Sequence, residues 1–127
     1  MAFLFSPVTW IGLVILFHLA AMLAEILVSR RVFERVSGQS LSGVSDGITA
    51  SVENALRNQG VYNGFLAIGL LLSFKAEPAT QETAQIYLLA CVVVAGVVGY
   101  LTFRRWPFLV LQSGLAVVAL VMLLAKG

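Results

Sequence analysis

Charge is scarce in this chain. Lys, Arg, Asp and Glu make up 11% of its 127 residues, while 60% are hydrophobic. A soluble globular domain carries about 25% charged and about 45–50% apolar residues, so this composition excludes an ordinary soluble domain. Cysteine is nearly missing too. The single Cys91 excludes a disulfide framework within one chain and a cysteine metal site; set in an apolar run, it reads as a packing residue. The net charge of +2 offers no basic stripe, so nucleic acid is not an expected partner. No Lys or Arg precedes Arg30, so the N-terminus lacks the positive region of a secretory signal. "LAAMLAE" has small residues at cleavage-like spacing, but the apolar run before it is as long as a full span, and cleavage is not expected.

What the chain has instead is apolar length. Four segments stand out, at about 7–29, 58–74, 84–103 and 107–126. A helix rising 1.5 Å per residue needs about 20 residues to cross a hydrocarbon core of about 30 Å. The first, third and fourth segments meet that unaided; in the second only Gly64 to Phe74 is cleanly apolar. The link 30–57 begins rich in Ser and Gly, which reads as a loop or interfacial turn. From Ser45 the pattern changes: Ser45 or Asp46 suits a helix cap, and Ile48, Val52 and Leu56 form an amphipathic stripe. The second helix is therefore expected to start near 46 and enter the membrane around 58. Pro107 suits the first turn of the fourth. The fold expected is all-α, an integral membrane four-helix bundle forming a single transmembrane domain over 1–127, with antiparallel neighbours.

Orientation follows from counting cations. The first and third links hold Arg30, Arg31, Arg35, Arg57, Arg104 and Arg105, and the opposite side holds only Lys75 and Lys126. The positive-inside rule then puts those links in the cytoplasm and both termini on the non-cytoplasmic side.

Ionisable groups inside a span are costly and by default face the bundle interior or a wet cavity. His18 and Glu25 are seven residues apart, nearly two helical turns, and so share a face of the first helix. The same arithmetic groups Gln59, Tyr62 and Asn63 on the second, Tyr87, Cys91, Ala95 and Thr102 on the third, and Gln112, Ala116 and Ala119 on the fourth. Counted from the nearest arginine, Glu25, Asn63 and Gln112 lie about 7–10 Å deep and His18 about 18 Å, with Thr102 shallower. The candidates for binding a ligand or proton are His18, Glu25, Gln59, Tyr62, Asn63 and Gln112, with Asn58 and Thr102 secondary. The plainer alternative is that the amides are interhelical glue, each bond contributing about 0.6 kcal/mol. Tyr62, Tyr100, Trp10 and Trp106 also suit membrane interfaces. The Gly60/Gly64 ridge and the Ala95/Gly99 pair can serve packing within the bundle or across a two-fold, a homodimer being slightly favoured.

"NQGVYNGFLAIGL" resembles the signature of a family of small bacterial four-span membrane proteins of unknown function. "FHLAAMLAE" and "VVVAGVVGYLTFRRWPFLVLQSG" are similar to that family as well, so the likeness covers most of the chain. Two departures stand out: a longer, more Ser/Gly-rich first link, and Val98 where an aromatic is common. The resemblance implies a four-helix protein of the bacterial cytoplasmic (inner) membrane and brings no activity.

No metal-ligand spacing, hydrolytic triad or phosphate-cradling loop is present, so no cofactor and no metal are expected. The function expected is a binding or accessory one. Its partners would be the lipid bilayer and a small amphipathic or lipid-like ligand, held in a polar pocket of the cytoplasmic half. The alternatives are a small proton-coupled transporter using Glu25, loosely similar to the small multidrug-resistance exporters, and an intramembrane enzyme with Glu25 or His18 as acid–base groups on a lipid-like substrate.

Overall fold

Proline marks where two of the long helices begin. Pro7 opens α1, Pro7–Leu27, and Pro78 opens α4, Pro78–Phe103; at the first helical position the missing N–H costs nothing and the fixed φ suits the helix. A computed structural model describes residues 6–126, and helix is the only regular structure among them. Between α1 and α4 lie α2, Ser29–Ser37, and α3, Asp46–Ser73. After α4 the chain turns at Arg104 and forms a π-helical stretch, Phe108–Gly114, which continues into α5, Leu115–Leu124. α1 and α4 are long and apolar enough to cross a membrane; the apolar helical stretch Phe108–Leu124 is shorter.

Three of these boundaries differ from the sequence expectation. The stretch after Arg30 is helical rather than loop. "SRRVFERVS" is amphipathic: Val32, Phe33 and Val36 turn inward while Arg30, Arg31 and Arg35 stay exposed. Gly38, at φ 73°, ends this helix in the left-handed region where glycine has no Cβ penalty. α4 starts at 78 rather than 84, because Pro78 and the helix-compatible Ala, Gln and Glu that follow build polar turns before the apolar run begins. The last apolar segment is not α-helical throughout, since its first part widens into the π-helical stretch.

Glycine sets how closely the helices approach. A methyl group at Gly60 would stand 3.0 Å from the Met22 carbonyl oxygen, so α3 lies backbone-close on α1, with Gly64 beside the Met22 side chain. A methyl at Gly96 would stand 2.9 Å from both the Phe108 carbonyl oxygen and the Ser113 backbone nitrogen. Ser113 completes that contact by donating its hydroxyl to the Val93 carbonyl at 2.9 Å. The small-residue ridge at Gly60 and Gly64 is thus used within the chain.

The apolar core lies away from the arginines. Ile11, Val14 and Ile15 of α1 meet Ala67 and Leu70 of α3, Leu89 and Val92 of α4, and Ala116 and Ala119 of α5. Outward faces are apolar too: Leu16, Leu23, Val94, Leu101 and Val121 are exposed. Large apolar side chains exposed on several helices, together with the two long apolar helices, support a lipid-bilayer context.

Candidate functional site

Where α1 and α3 cross, Asn63 donates its side-chain amide to the Glu25 carboxylate at 2.6 Å. Asn63 is buried and Glu25 half-buried. The closeness follows from Gly60, three residues earlier, where the missing side chain lets α3 settle against Glu25 Cβ and Ile26. No ion pair reaches Glu25 among the described residues. The two arginine pairs lie on the surface, Arg30 with Glu34 and Arg57 with Glu53, both at 3.4 Å.

Beside Glu25 is a chamber of 110 Å³, walled by Val32, Phe33 and Val36 of α2, Leu56 and Gln59 of α3, and Phe103 and Phe108. A second space, a groove of 690 Å³, runs along α4 from Tyr87 through Cys91, Ala95 and Gly99 to Thr102, with Gln112 on its flank. Its size falls in the range of small-molecule sites, about 300–1,000 Å³. Gln59, Phe103 and Phe108 line both spaces and so form their shared wall. The two rings stack at 5.6 Å with planes 16° apart.

The sequence candidates therefore divide. Glu25 and Asn63 bond to each other, while Gln59, Thr102 and Gln112 all line the groove. His18 joins neither set. It is fully buried; the Val14 carbonyl can only accept, so the 2.8 Å contact puts the hydrogen on Nδ1 and leaves Nε2 without a partner. No hydrogen bond or ion pair links His18 with Glu25. Tyr62 is not part of the cluster: it is 57% exposed and packs edge-on against Phe65. Successive helical residues turn by about 100°, so with Asn63 aimed at α1 its neighbour Tyr62 is swung away. Asn58 is also exposed. Cys91 is half-buried on the groove wall rather than packed in the core.

Sequence reasoning passed over a polar pair at the other end. Gln85 donates to the Ser73 hydroxyl at 3.1 Å, and Ser73 donates to the Leu70 carbonyl at 2.6 Å, all of it buried. The available signal was a lone polar residue at the edge of each apolar run. The inward face of α2 was passed over as well. No group of three or more His, Cys, Asp or Glu that could hold a metal lies together among the described residues.

These features define an all-α, membrane-associated class of protein with a half-buried carboxyl beside an apolar groove. The chain belongs to the family described as protein of unknown function (DUF1304), whose model matches residues 12–124. It is also similar to the uncharacterized protein YpaA of Lactococcus lactis subsp. lactis (strain IL1403), with 33% identity over 72 residues. That match covers 57% of this chain and 59% of the relative's own length. No solved structure matches.

Proposed function

We propose that the chain is a multi-pass protein of the bacterial cytoplasmic membrane, a four-helix bundle with antiparallel neighbours and both termini on the non-cytoplasmic side. In this reading its cytoplasmic half binds a small amphipathic molecule or lipid in an accessory or binding role. Six arginines at one end against two lysines at the other support the orientation. The observation that carries the binding role is the shared wall. Gln59 and the Phe103–Phe108 pair separate a largely apolar chamber that holds the Glu25 carboxyl from an apolar groove, so one ionisable group lies beside two apolar surfaces, as an amphipathic ligand requires.

The test is to extract the protein in mild detergent and weigh it by native mass spectrometry. A retained small amphipathic adduct is expected, lost in Ala95→Trp, which fills the groove, while thermal unfolding is unchanged. If no adduct survives from any lipid extract supplied, the binding reading falls.

A second reading is favoured by Glu25 itself, a half-buried carboxyl with one neutral donor and no cation. A carboxyl so placed suits alternate binding of a proton and a cation, as in a small proton-coupled transporter. Proteoliposomes loaded with a pH-sensitive dye separate the two. Proton flux on adding an organic cation, abolished in Glu25→Gln, would select transport. Ligand retention without flux selects binding.

A further inference from the structure

Resting on the binding reading above, we infer that the occupant of the α4 groove is an anionic glycerophospholipid of the cytoplasmic leaflet. One acyl chain lies along α4, and the phosphate sits at Gln59, Thr102 and Gln112.

Three observations carry this. The first is a set of open hydrogen-bonding groups on the groove. Gln112 is 9% exposed, and its carboxamide has no hydrogen-bond partner among the described residues. The carboxamide opens onto the groove, the side from which a partner can reach it. Gln59 and Thr102, which also line the groove, are exposed and spend no side-chain hydrogen bond within the protein. Two carboxamides and a hydroxyl supply N–H and O–H donors for an acceptor-rich group, and a phosphodiester offers oxygens without competing donors.

The second is length. Thr102 to Cys91 is eleven residues of helix, about 16 Å at 1.5 Å per residue. One leaflet of a hydrocarbon core of about 30 Å is about 15 Å deep. Over that stretch α4 lines the groove with Val94, Ala95, Val98 and Gly99, none of them polar, which suits a hydrocarbon tail.

The third is charge. Arg104 follows directly on the groove's polar end, is exposed, and makes no ion pair among the described residues. Arg30 and Arg57, by contrast, are held by Glu34 and Glu53. No acidic residue lines the groove. Its head end therefore favours an anionic lipid over a zwitterionic one.

The protein carries its own probe. Cys91 is the one cysteine and lies on the groove wall at the depth of the chain's end. In detergent, its alkylation by N-ethylmaleimide is followed while phosphatidylglycerol or phosphatidylcholine of the same acyl chains is titrated in. Phosphatidylglycerol is expected to slow the reaction at lower concentration than phosphatidylcholine, with one phospholipid retained by native mass spectrometry. Arg104→Gln should weaken that preference about fivefold, the effect of one basic residue near an anionic surface. Gln112→Leu should weaken protection by both lipids, and Lys126→Gln should do nothing. Circular dichroism of each variant guards against misfolding. Equal protection by the two lipids overturns the anionic assignment and leaves the binding reading standing. No protection and no retained lipid overturns both. Oxidative crosslinking of Cys91 to Cys91 in a second copy, at the expense of lipid protection, makes the groove a self-interface and overturns the lipid assignment.

Discussion

Gln85 and Gln112 are the same residue type in apolar segments, both nearly enclosed, and their surroundings are opposite. Gln85, 1% exposed, donates to Ser73, which in turn donates to a carbonyl. Gln112, next to the Ser113 that packs on Gly96, makes no side-chain hydrogen bond among the described residues and lines the groove. A carboxamide held in a satisfied chain fixes helices; one left open beside a cavity weakens the fold it sits in unless something else occupies the space. The difference separates scaffold from site more sharply than polarity alone does, since by composition the two ends look alike.

The largest way to break this contrast is through the backbone contact that holds Gln112 in place. Gly96→Ala puts a methyl group 2.9 Å from two backbone atoms of the facing segment and against the Ser113 hydroxyl. Neither backbone atom can swing aside as a side-chain tip would. Overpacking of this kind costs about 1–3 kcal/mol, so thermal unfolding in mild detergent is expected to shift down accordingly. Gly47→Ala, where the new methyl meets nothing within 4 Å, is the control and should not destabilise. An unchanged melting temperature for Gly96→Ala would mean that α4 and the π-helical stretch are not in this register.

A smaller effect sharpens the contrast directly. Gln85→Leu removes a buried hydrogen bond of the usual net worth, about 0.5–1.5 kcal/mol, and should lower stability by that amount. Gln112→Leu removes a carboxamide that was making no bond, and in the absence of added lipid it should be neutral or stabilising. Equal losses at both positions in matched unfolding curves would show that Gln112 has a partner and that the two ends are alike.

How much of this could be read from residues alone depends on which physical quantity carried the signal. Apolar runs are long-range and redundant, so the helical class and the two long apolar helices were visible. Helix boundaries were less so. Pro78 and Gly38 mark α4 and α2 through backbone conformation, and tracking apolarity misses a helix that opens with polar turns. The pairing of His18 with Glu25 on one face of α1 follows from periodicity, but sharing a face is not contact, and His18 bonds to its own helix instead. Tyr62 and Asn63 are grouped by spacing and parted by the direction in which α3 meets α1, which Gly60 decides through a contact with Met22. The π-helical stretch carries no periodicity signature, so the flank that Gln112 occupies on the groove was out of reach. So was the Gln85–Ser73 link, because each residue looks unremarkable until two helices are brought together.

The smallest expected effect extends the contrast to carboxylates. Glu25 has one donor, whereas Glu34, outside the apolar spans, has three: the Leu41 backbone N–H at 2.9 Å, Arg30 at 3.4 Å and the Ser40 hydroxyl at 3.5 Å. The Leu41 N–H foremost, with Arg30 and Ser40 adding to it, holds the Glu34 carboxyl below the ordinary glutamate range. A carboxyl whose folded pKa is depressed stabilises the fold above its unfolded pKa and loses that contribution as pH falls through the folded value. The link between α2 and the turn at Leu41 should therefore survive acidification through the usual glutamate range and open only below it. The Leu41 amide proton resonance reports this: its pH midpoint should lie lower than that of a free glutamate, and Glu34→Gln should remove the titration without moving global unfolding. A midpoint at the ordinary glutamate value would mean the three donors do not hold Glu34 in solution, and that multiple partners are no better a mark of scaffold at the surface than a single one is in the interior.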